Sequence, residues 1–530
     1  MITQTPSGSP AVPAAEDAAP AGARAWGALV AVTLAVTLLA VDGTVLALAV
    51  PALTADLGAT STQVLWIGDV YSFALAGLLI TMGTLADRIG RKRLLLIGVA
   101  AFGAASVLAA FAPTAGWLIA ARALLGVAGA TLMPSTLSIV RSVFPEARQR
   151  TRAIAIWSAG TAGGAALGPL VGGALLEHFW WGSVFIINLP VMAVVLVAVA
   201  LLVPESRDPA PGRFDLLSAV LSVGAIVPLV WAVKHTAGEG ADVAGLVAGL
   251  LGIVVGVVFV RRQRRLPDPL VDVELFTKPA FSGTVAVSLI AIFAFSGLLF
   301  FFSQYLQLVR GFSPLEAGLR ELPITIAAMA VTVIAVWVIS RLGIGRALGI
   351  SMLVAAGGLA LLAVAEGAEG YFWLGVALAI IGLGLGITFT TSTDAILSTV
   401  PRERAGSASA ISEMSYELGV ALGIALLGSL HAVLYRASLP DLSAVPDGAR
   451  EAVEESLAVG TYAIGTDPAG AGILDAAREA FTDAMQTTSV VAAVLLVVAG
   501  LLAMKIVPSV RQPGPAQPGA RLDVGTTSSR

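Results

Sequence analysis

Apolar runs of about twenty residues recur along almost the whole chain, and each is long enough to cross a hydrocarbon core of roughly 30 Å as a helix. Lipid offers backbone amides no partner, so a chain made of such runs must close its hydrogen bonds inside helices. Read in order, the runs give fourteen expected spans: 25–50, 62–82, 94–112, 117–140, 153–176, 183–203, 215–234, 241–260, 281–309, 318–340, 345–365, 371–399, 405–433 and 487–507. Only 12% of the residues are charged and 57% are hydrophobic, against roughly 25% charged in a soluble domain. The expected fold class is an all-α polytopic membrane protein.

Several chemistries drop out at once. The chain has no cysteine, and its three histidines, His178, His235 and His431, are too scattered for a metal cluster. No cofactor or metal is expected. A net charge of −3 gives no reason to expect a nucleic-acid partner. Residues 1–24, rich in Ala, Pro, Gly and Ser, have no basic region ahead of the first apolar run, so a cytoplasmic tail is expected and not a signal peptide. The bias of Lys and Arg toward cytoplasmic loops sets the orientation. With both termini in the cytoplasm, Arg88 to Arg93, Arg148 to Arg152 and Arg261 to Arg265 fall inside. Lys234, Arg310, Arg320, Arg436, Arg450 and Arg478 fall outside, and Arg122 is buried. The expectation is a multi-pass protein of a bacterial cytoplasmic membrane, monomeric and in contact with its lipids.

The two halves echo one another. The joint after the second span reads Asp87-Arg88-Ile89-Gly90-Arg91-Lys92-Arg93, and the one after the tenth reads Ser340-Arg341-Leu342-Gly343-Ile344-Gly345-Arg346. Arg, Gly and Arg keep the same register, as a decayed parallel repeat would leave them. The simplest partition is a six-helix bundle over 25–203, two inserted helices and linkers over 204–270, and the first five helices of a second bundle over 271–435. An extracellular loop over 436–486, the last helix over 487–507 and a tail over 508–530 complete it. The loop carries Asp441, Glu451, Glu454 and Glu455 and is too polar to cross.

The strongest local signal is Gly83-Thr84-Leu85-Ala86-Asp87-Arg88-Ile89-Gly90-Arg91-Lys92-Arg93. Glycines let the chain turn tightly and let helices approach, and Asp87 can pair with a base or a helix N-terminus as a gate. A merely positive loop explains the basic residues, but not their spacing with Gly83, Asp87 and Gly90. In the fifth span, Gly164-Ala165-Ala166-Leu167-Gly168-Pro169-Leu170-Val171-Gly172-Gly173 is denser in glycine than packing alone requires. Pro169 removes a backbone hydrogen bond and favours a bend, marking a seam for rocking.

The Gly83–Arg93 segment resembles the loop signature of the major facilitator superfamily. Arg122-Ala123-Leu124-Leu125-Gly126-Val127-Ala128-Gly129-Ala130 is similar to the fourth-helix arginine motif of proton-coupled members, and Gly164–Gly173 to the antiporter motif found mainly in exporters. Val41-Asp42-Gly43-Thr44, Leu65-Trp66-Ile67-Gly68-Asp69-Val70-Tyr71-Ser72 and Ser412-Glu413-Met414-Ser415-Tyr416-Glu417-Leu418-Gly419 resemble the fourteen-helix drug:proton antiporter family. Within it, the likeness is to the quaternary-ammonium-compound (QacA-like) exporters. The resemblance implies two six-helix bundles plus two inserted helices, and proton-coupled multidrug efflux of lipophilic cations. Ser340 departs from it, since a full second loop motif would have Asp there.

The buried charges argue independently. A charge at mid-helix costs a few kcal/mol on insertion scales, so one that persists usually faces a cavity or a partner. Asp42 lies two thirds along the first span and Asp69 inside the second. Glu413 and Glu417 are one turn apart and share a face. Two neighbouring carboxylates in a low dielectric do not both ionise readily, which makes the pair a candidate proton carrier. Arg122 would tune whichever carboxylates it meets. Structural readings compete with each of these: a satisfied carboxylate at Asp42, an interfacial Asp69 beside Trp66 and Tyr71, and solvated glutamates near a helix end. Among the aromatics, Trp66, Tyr71, Trp157 and Tyr305 are candidates to stack on a flat cation. Protons are the expected coupling ion and small lipophilic cations the expected cargo. A nutrient importer and a non-transporting sensor or scaffold are the rival readings, and the lack of a GxxxxGK[ST] sequence argues against ATP drive.

Overall fold

A computed structural model of the protein describes residues 22–207, 215–267, 269–398, 400, 405–442, 445–465 and 470–508. The tails expected at the two ends fall almost wholly outside these residues. The first bundle is built from α1 (Ala23–Leu57), α2 (Ser61–Ile89), α3 (Arg91–Ala110), α4 (Ala115–Val143), α5 (Ala147–His178) and α6 (Asn188–Leu202). Next come α7 (Leu216–Glu239) and α8 (Val243–Gln263), then α9 (Pro279–Gln304), α10 (Pro314–Leu342), α11 (Ile344–Glu366), α12 (Phe372–Ser398) and α13 (Ala405–Leu422). Two short helices, α14 (Asp447–Glu455) and α15 (Leu457–Ile464), precede the last, α16 (Ala471–Ile506). No strand forms among the described residues.

Among the described residues, thirteen helical stretches are long and apolar enough to cross a membrane, with α6 counted from Ser183 and α13 through Ser438. The expected tenth span is α10, a helix of 29 residues that runs beside α5 and α12. Single-residue turns join several neighbours. Gly90 (φ +113°) links α2 to α3 and Gly343 (φ +77°) links α10 to α11, a backbone region that side chains with a Cβ avoid. The repeat extends inward from these turns. The α4 backbone crosses α2 at Gly126, where a Cβ would lie 2.3 Å from the Tyr71 carbonyl oxygen, and α12 crosses α10 at Gly382, 2.1 Å from that of Ile324. Tyr71 and Ile324 stand the same number of residues before Gly90 and Gly343, so the short Arg-Gly-Arg match reflects equivalent helix pairs.

All long helices share two ends. We call the end where α1 begins and α16 stops the near end, and the other the far end. Helix boundaries correct two expectations. Because α1 continues through Pro51 to Leu57, Asp42 sits near its middle. The polar stretch read as a loop over 436–486 is largely helical: α13 passes through one wide turn (Gly423–Leu427) into Gly428–Ser438, and α16 starts at Ala471. Its first turns stand beyond the apolar run, which is why hydropathy did not count them. Helix α8 presents Leu246, Leu250, Ile253 and Val257 outward, whereas α7 lies against α2 and the α13 extension.

Candidate functional site

The middle of the first bundle holds a buried charge cluster. Asp42 is buried on α1, and its Oδ2 accepts from Arg122 Nη1 of α4 at 3.0 Å while its Oδ1 accepts from Asn188 Nδ2 of α6 at 2.9 Å. Asn188 also donates to Ser106 Oγ of α3 at 3.1 Å. Arg122 spends its remaining reach on α2: Nε donates to the Ile67 carbonyl at 3.2 Å, and the guanidinium stacks 4.6 Å from the Tyr71 ring centroid. A planar fork with five donors suits such a four-helix junction; a lysine could not satisfy it. Tyr71, proposed from sequence as a cation platform, therefore already carries a cation of the protein's own.

Asp69 of α2 is also fully buried. It meets Lys234 Nζ of α7 at 2.6 Å, and both side chains are at most 1% exposed. The same ammonium lies 3.9 Å from the Trp66 ring centroid. This corrects the assignment of Lys234 to the outer surface: it stood at the end of an apolar span, where a lysine ordinarily snorkels to water, but here turns inward to a carboxylate. It also removes the interfacial reading of Asp69.

Where the halves meet, Gly68 of α2 approaches Phe300 and Ile424, and Gly428 approaches Leu65. Glu417 of α13 is buried and faces Ser72 of α2. Glu413, one turn earlier, is only half-buried. The two do share a face, with Glu417 the one at the interface. Two further buried carboxylates escaped the sequence reading. Glu321 lies on α10 at 2% exposure near Ser303, and Glu366 ends α11, accepting from Ser489 Oγ of α16 at 3.2 Å. Neither was legible by the rule applied to Asp69, since Glu321 follows Arg320 at the start of the tenth span and Glu366 ends a helix, both places where an acid is usually wet.

The glycine-rich α5 has two working faces. Gly160, Gly164, Gly168 and Gly172 recur every four residues and press on α1, where an added Cβ would come within 2.3 Å of Thr33, 2.3 Å of the Thr37 carbonyl, 1.8 Å of Thr44 and 2.4 Å of Val45. Thr37 Oγ1 donates to the Gly160 carbonyl across that contact at 3.0 Å. The other face crosses to the second half: a Cβ on Gly173 would lie 2.7 Å from Leu315 Cα, and one on Gly318 2.2 Å from the Pro169 carbonyl oxygen. The expected seam is thus a contact of main chain with main chain between α5 and α10.

At the near end, Asp87 pairs with Arg91 one turn on (2.9 Å), and Arg88 is exposed. Glu205, just beyond α6, accepts from the Lys92 backbone at 3.2 Å and would lie 2.6 Å from a Cβ on Gly90. Gly83 touches Pro134 of α4 only at ordinary distance. At the far end, the halves are joined by Gln307 Nε2 donating to the Leu48 carbonyl at 3.1 Å and by Glu455, whose carboxylate accepts from the Ser61 backbone at 2.5 Å. The Ser61 hydroxyl also donates to the Glu455 carbonyl. Beneath this clasp, Thr54, Leu65, Phe301, His431 and Tyr435 line a small cavity.

Two aromatic candidates are corrected. Tyr305 is completely buried, and its hydroxyl donates to the Glu366 carbonyl at 2.5 Å and accepts from Arg310 at 3.2 Å, leaving no face for a ligand. Trp157 is buried and ties α5 to α4 through its Nε1 donating to Thr136 Oγ1 at 3.3 Å. In a sequence, an aromatic that packs and one that lines a cavity look alike.

Two helical bundles in contact, with paired charges buried inside the first and between it and an inserted helix, define a carrier: a multi-pass membrane transporter. Residues 32–424 match the Major Facilitator Superfamily, to which the chain belongs. It is 44% identical to the multidrug efflux pump LfrA of Mycolicibacterium smegmatis, over 90% of this chain and 95% of LfrA. It is 39% identical to the methyl viologen resistance protein SmvA of Salmonella typhimurium, over 86% and 93%. Its fold is shared with an inward-facing bacterial homologue of the lysosomal transporter Spinster, with a TM-score of 0.63, 20% identity and coverage of 91% and 96%.

Proposed function

We propose that this protein is a proton-coupled exporter of lipophilic cations, including quaternary ammonium compounds and dyes, working by alternating access between its halves. The observation that carries the reading is the set of buried carboxylates in the bundle interiors, Asp42, Asp69 and Glu417, each set where a helix of one bundle meets another element. A cation and a proton can both neutralise such groups, so binding of one favours release of the other. The efflux pumps and resistance proteins among its relatives support export over import.

With the near end in the cytoplasm, the far-end clasp closes the outward side, and this conformation receives cargo from the cytoplasm or inner leaflet. External protons then displace the cation once the cavity faces out. Each net positive charge moving inward through 100 mV contributes about 2.3 kcal/mol, enough for a gradient of about fortyfold. The test is ethidium efflux from cells carrying Asp42→Asn, with and without an uncoupler. The natural chain should lose efflux on uncoupling and the variant should lack the uncoupler-sensitive part. Efflux that is unchanged in the variant and indifferent to the uncoupler would overturn the proposal.

A further inference from the structure

The two buried aspartates of the first bundle are held in opposite ways. Both oxygens of Asp42 are bonded, to Arg122 and to Asn188, and Arg122 is fixed by two further contacts. Asp69 has one ionic partner, and its Oδ1 is buried without a hydrogen bond among the described residues. That partner is a lysine, a compact charge on a flexible four-carbon stem. It comes from outside the first bundle, on the inserted helix α7. Around the pair stand the Trp66 ring at 3.9 Å from the ammonium, Phe73 next to Trp66 (centroids 6.4 Å apart), and an apolar cluster that joins Phe73 and Val230 to Ala421 and Ala425 of α13. A carboxylate at the base, an aromatic face beside it and apolar walls are the features that recognise a lipophilic organic cation. Here a cation belonging to the protein already fills them.

We infer that Asp69 and Trp66 form an exchangeable cation subsite that Lys234 of the inserted helix occupies between transport events, so that an organic cation enters by displacing a tethered competitor. This rests on the reading of the protein as a cation exporter and assigns the inserted hairpin a part in it. Removing cargo leaves no bare charge in the bundle, because Lys234 returns to Asp69. A buried carboxylate stripped of its partner is strongly destabilising, and the tethered lysine avoids that state in every cycle. The competitor also sets specificity: a neutral amphiphile gains nothing at Asp69 and cannot repay the loss of the ion pair. Asp42, bonded on both oxygens to groups fixed within the bundle, has no tethered cation to exchange.

The arithmetic follows from occupancy. A ligand whose site is free one-tenth of the time binds about tenfold more weakly than to the open site. Purified full-length protein in nanodiscs, titrated with tetraphenylphosphonium at one fixed alkaline pH, should therefore bind about tenfold more tightly when it carries Lys234→Met. Lys234→Arg, which puts a cation back, should return the affinity toward that of the natural chain. Asp69→Asn combined with Lys234→Met should abolish the gain. Monodispersity on gel filtration keeps misfolding separate from binding, and the double variant, with no buried charge left at the site, supplies a folded comparison should Lys234→Met alone be unstable. In that case the arginine variant must keep the natural chain's preference for tetraphenylphosphonium over a neutral analogue, and the double variant must lose it. Equal affinity in all forms, with that preference intact, overturns the subsite while leaving export untouched. Uncoupler-insensitive efflux together with the predicted binding shifts would overturn the proton coupling alone.

Discussion

Gly164→Ala tests the packing of α5 most directly, because its neighbour Gly163 supplies a control on the same helix. A Cβ on Gly164 would stand 2.3 Å from the Thr37 carbonyl oxygen and 3.0 Å from Ala40 Cβ, whereas one on Gly163 meets nothing within 4 Å. Ordinary contact needs about 3.5 Å, so α1 must retreat by roughly 1 Å along a main chain that cannot rotate out of the way. Overpacking of this kind costs about 1–3 kcal/mol. The retreat also stretches the Thr37-to-Gly160 hydrogen bond, which contributes about 1 kcal/mol. Alanine returns about 1 kcal/mol in helix propensity at either position. Gly164→Ala should therefore destabilise by about 2 kcal/mol while Gly163→Ala is neutral or slightly stabilising. The difference of about 3 kcal/mol is roughly a hundredfold in the unfolding equilibrium. Unfolding of the two purified variants in the same mixed micelles, with dye efflux alongside, reads it. Equal stability of the two would refute the claim that the glycine ladder exists for close approach.

Arg122→Ala should cost about 3–5 kcal/mol, since it strands Asp42 in the bundle, and be seen as loss of folded protein from membranes. Arg122→Lys should fold yet transport poorly, because one ammonium cannot serve Asp42, Ile67 and Tyr71 together; transport at the natural rate would contradict that geometry. At the far end, Glu455→Ala removes the acceptor for the Ser61 backbone. The chain has no cysteine of its own, so a single cysteine at Thr54 should label severalfold faster in that variant, and an unchanged rate would show that the clasp does not hold the cavity shut.

The helices were legible because lipid demands length and apolarity together, and both can be read locally. Their ends were less so. The far turns of α1 and the start of α16 are polar enough to stop a hydropathy count, yet they continue as helix because α15 docks beside both. The charges were legible as residues but not as pairs. Asp42 with Arg122 joins positions eighty residues apart and Asp69 with Lys234 spans still more of the chain, and nothing in one sequence links them. Lys234 shows the limit most clearly, since its place at the end of a span fits a snorkelling side chain as well as a buried one. The glycines of α5 were the easiest to read, because a spacing of four names a helix face without reference to its partner.

The contact of α5 with α10 has a kinetic consequence. Side chains that interlock act as teeth, and two surfaces so joined can move only by whole notches, each crossing a clash. Pro169, Gly173, Leu315 and Gly318 meet through their backbones, so that joint is smooth and the halves can turn by small angles without climbing out of one fit and into another. Resistance to turning then falls on the opposite side, where the side chains of Phe300 and Ile424 interlock at Gly68, and on the far-end clasp, whose hydrogen bonds end on main-chain groups. The molecule turns on one smooth face and catches on the other.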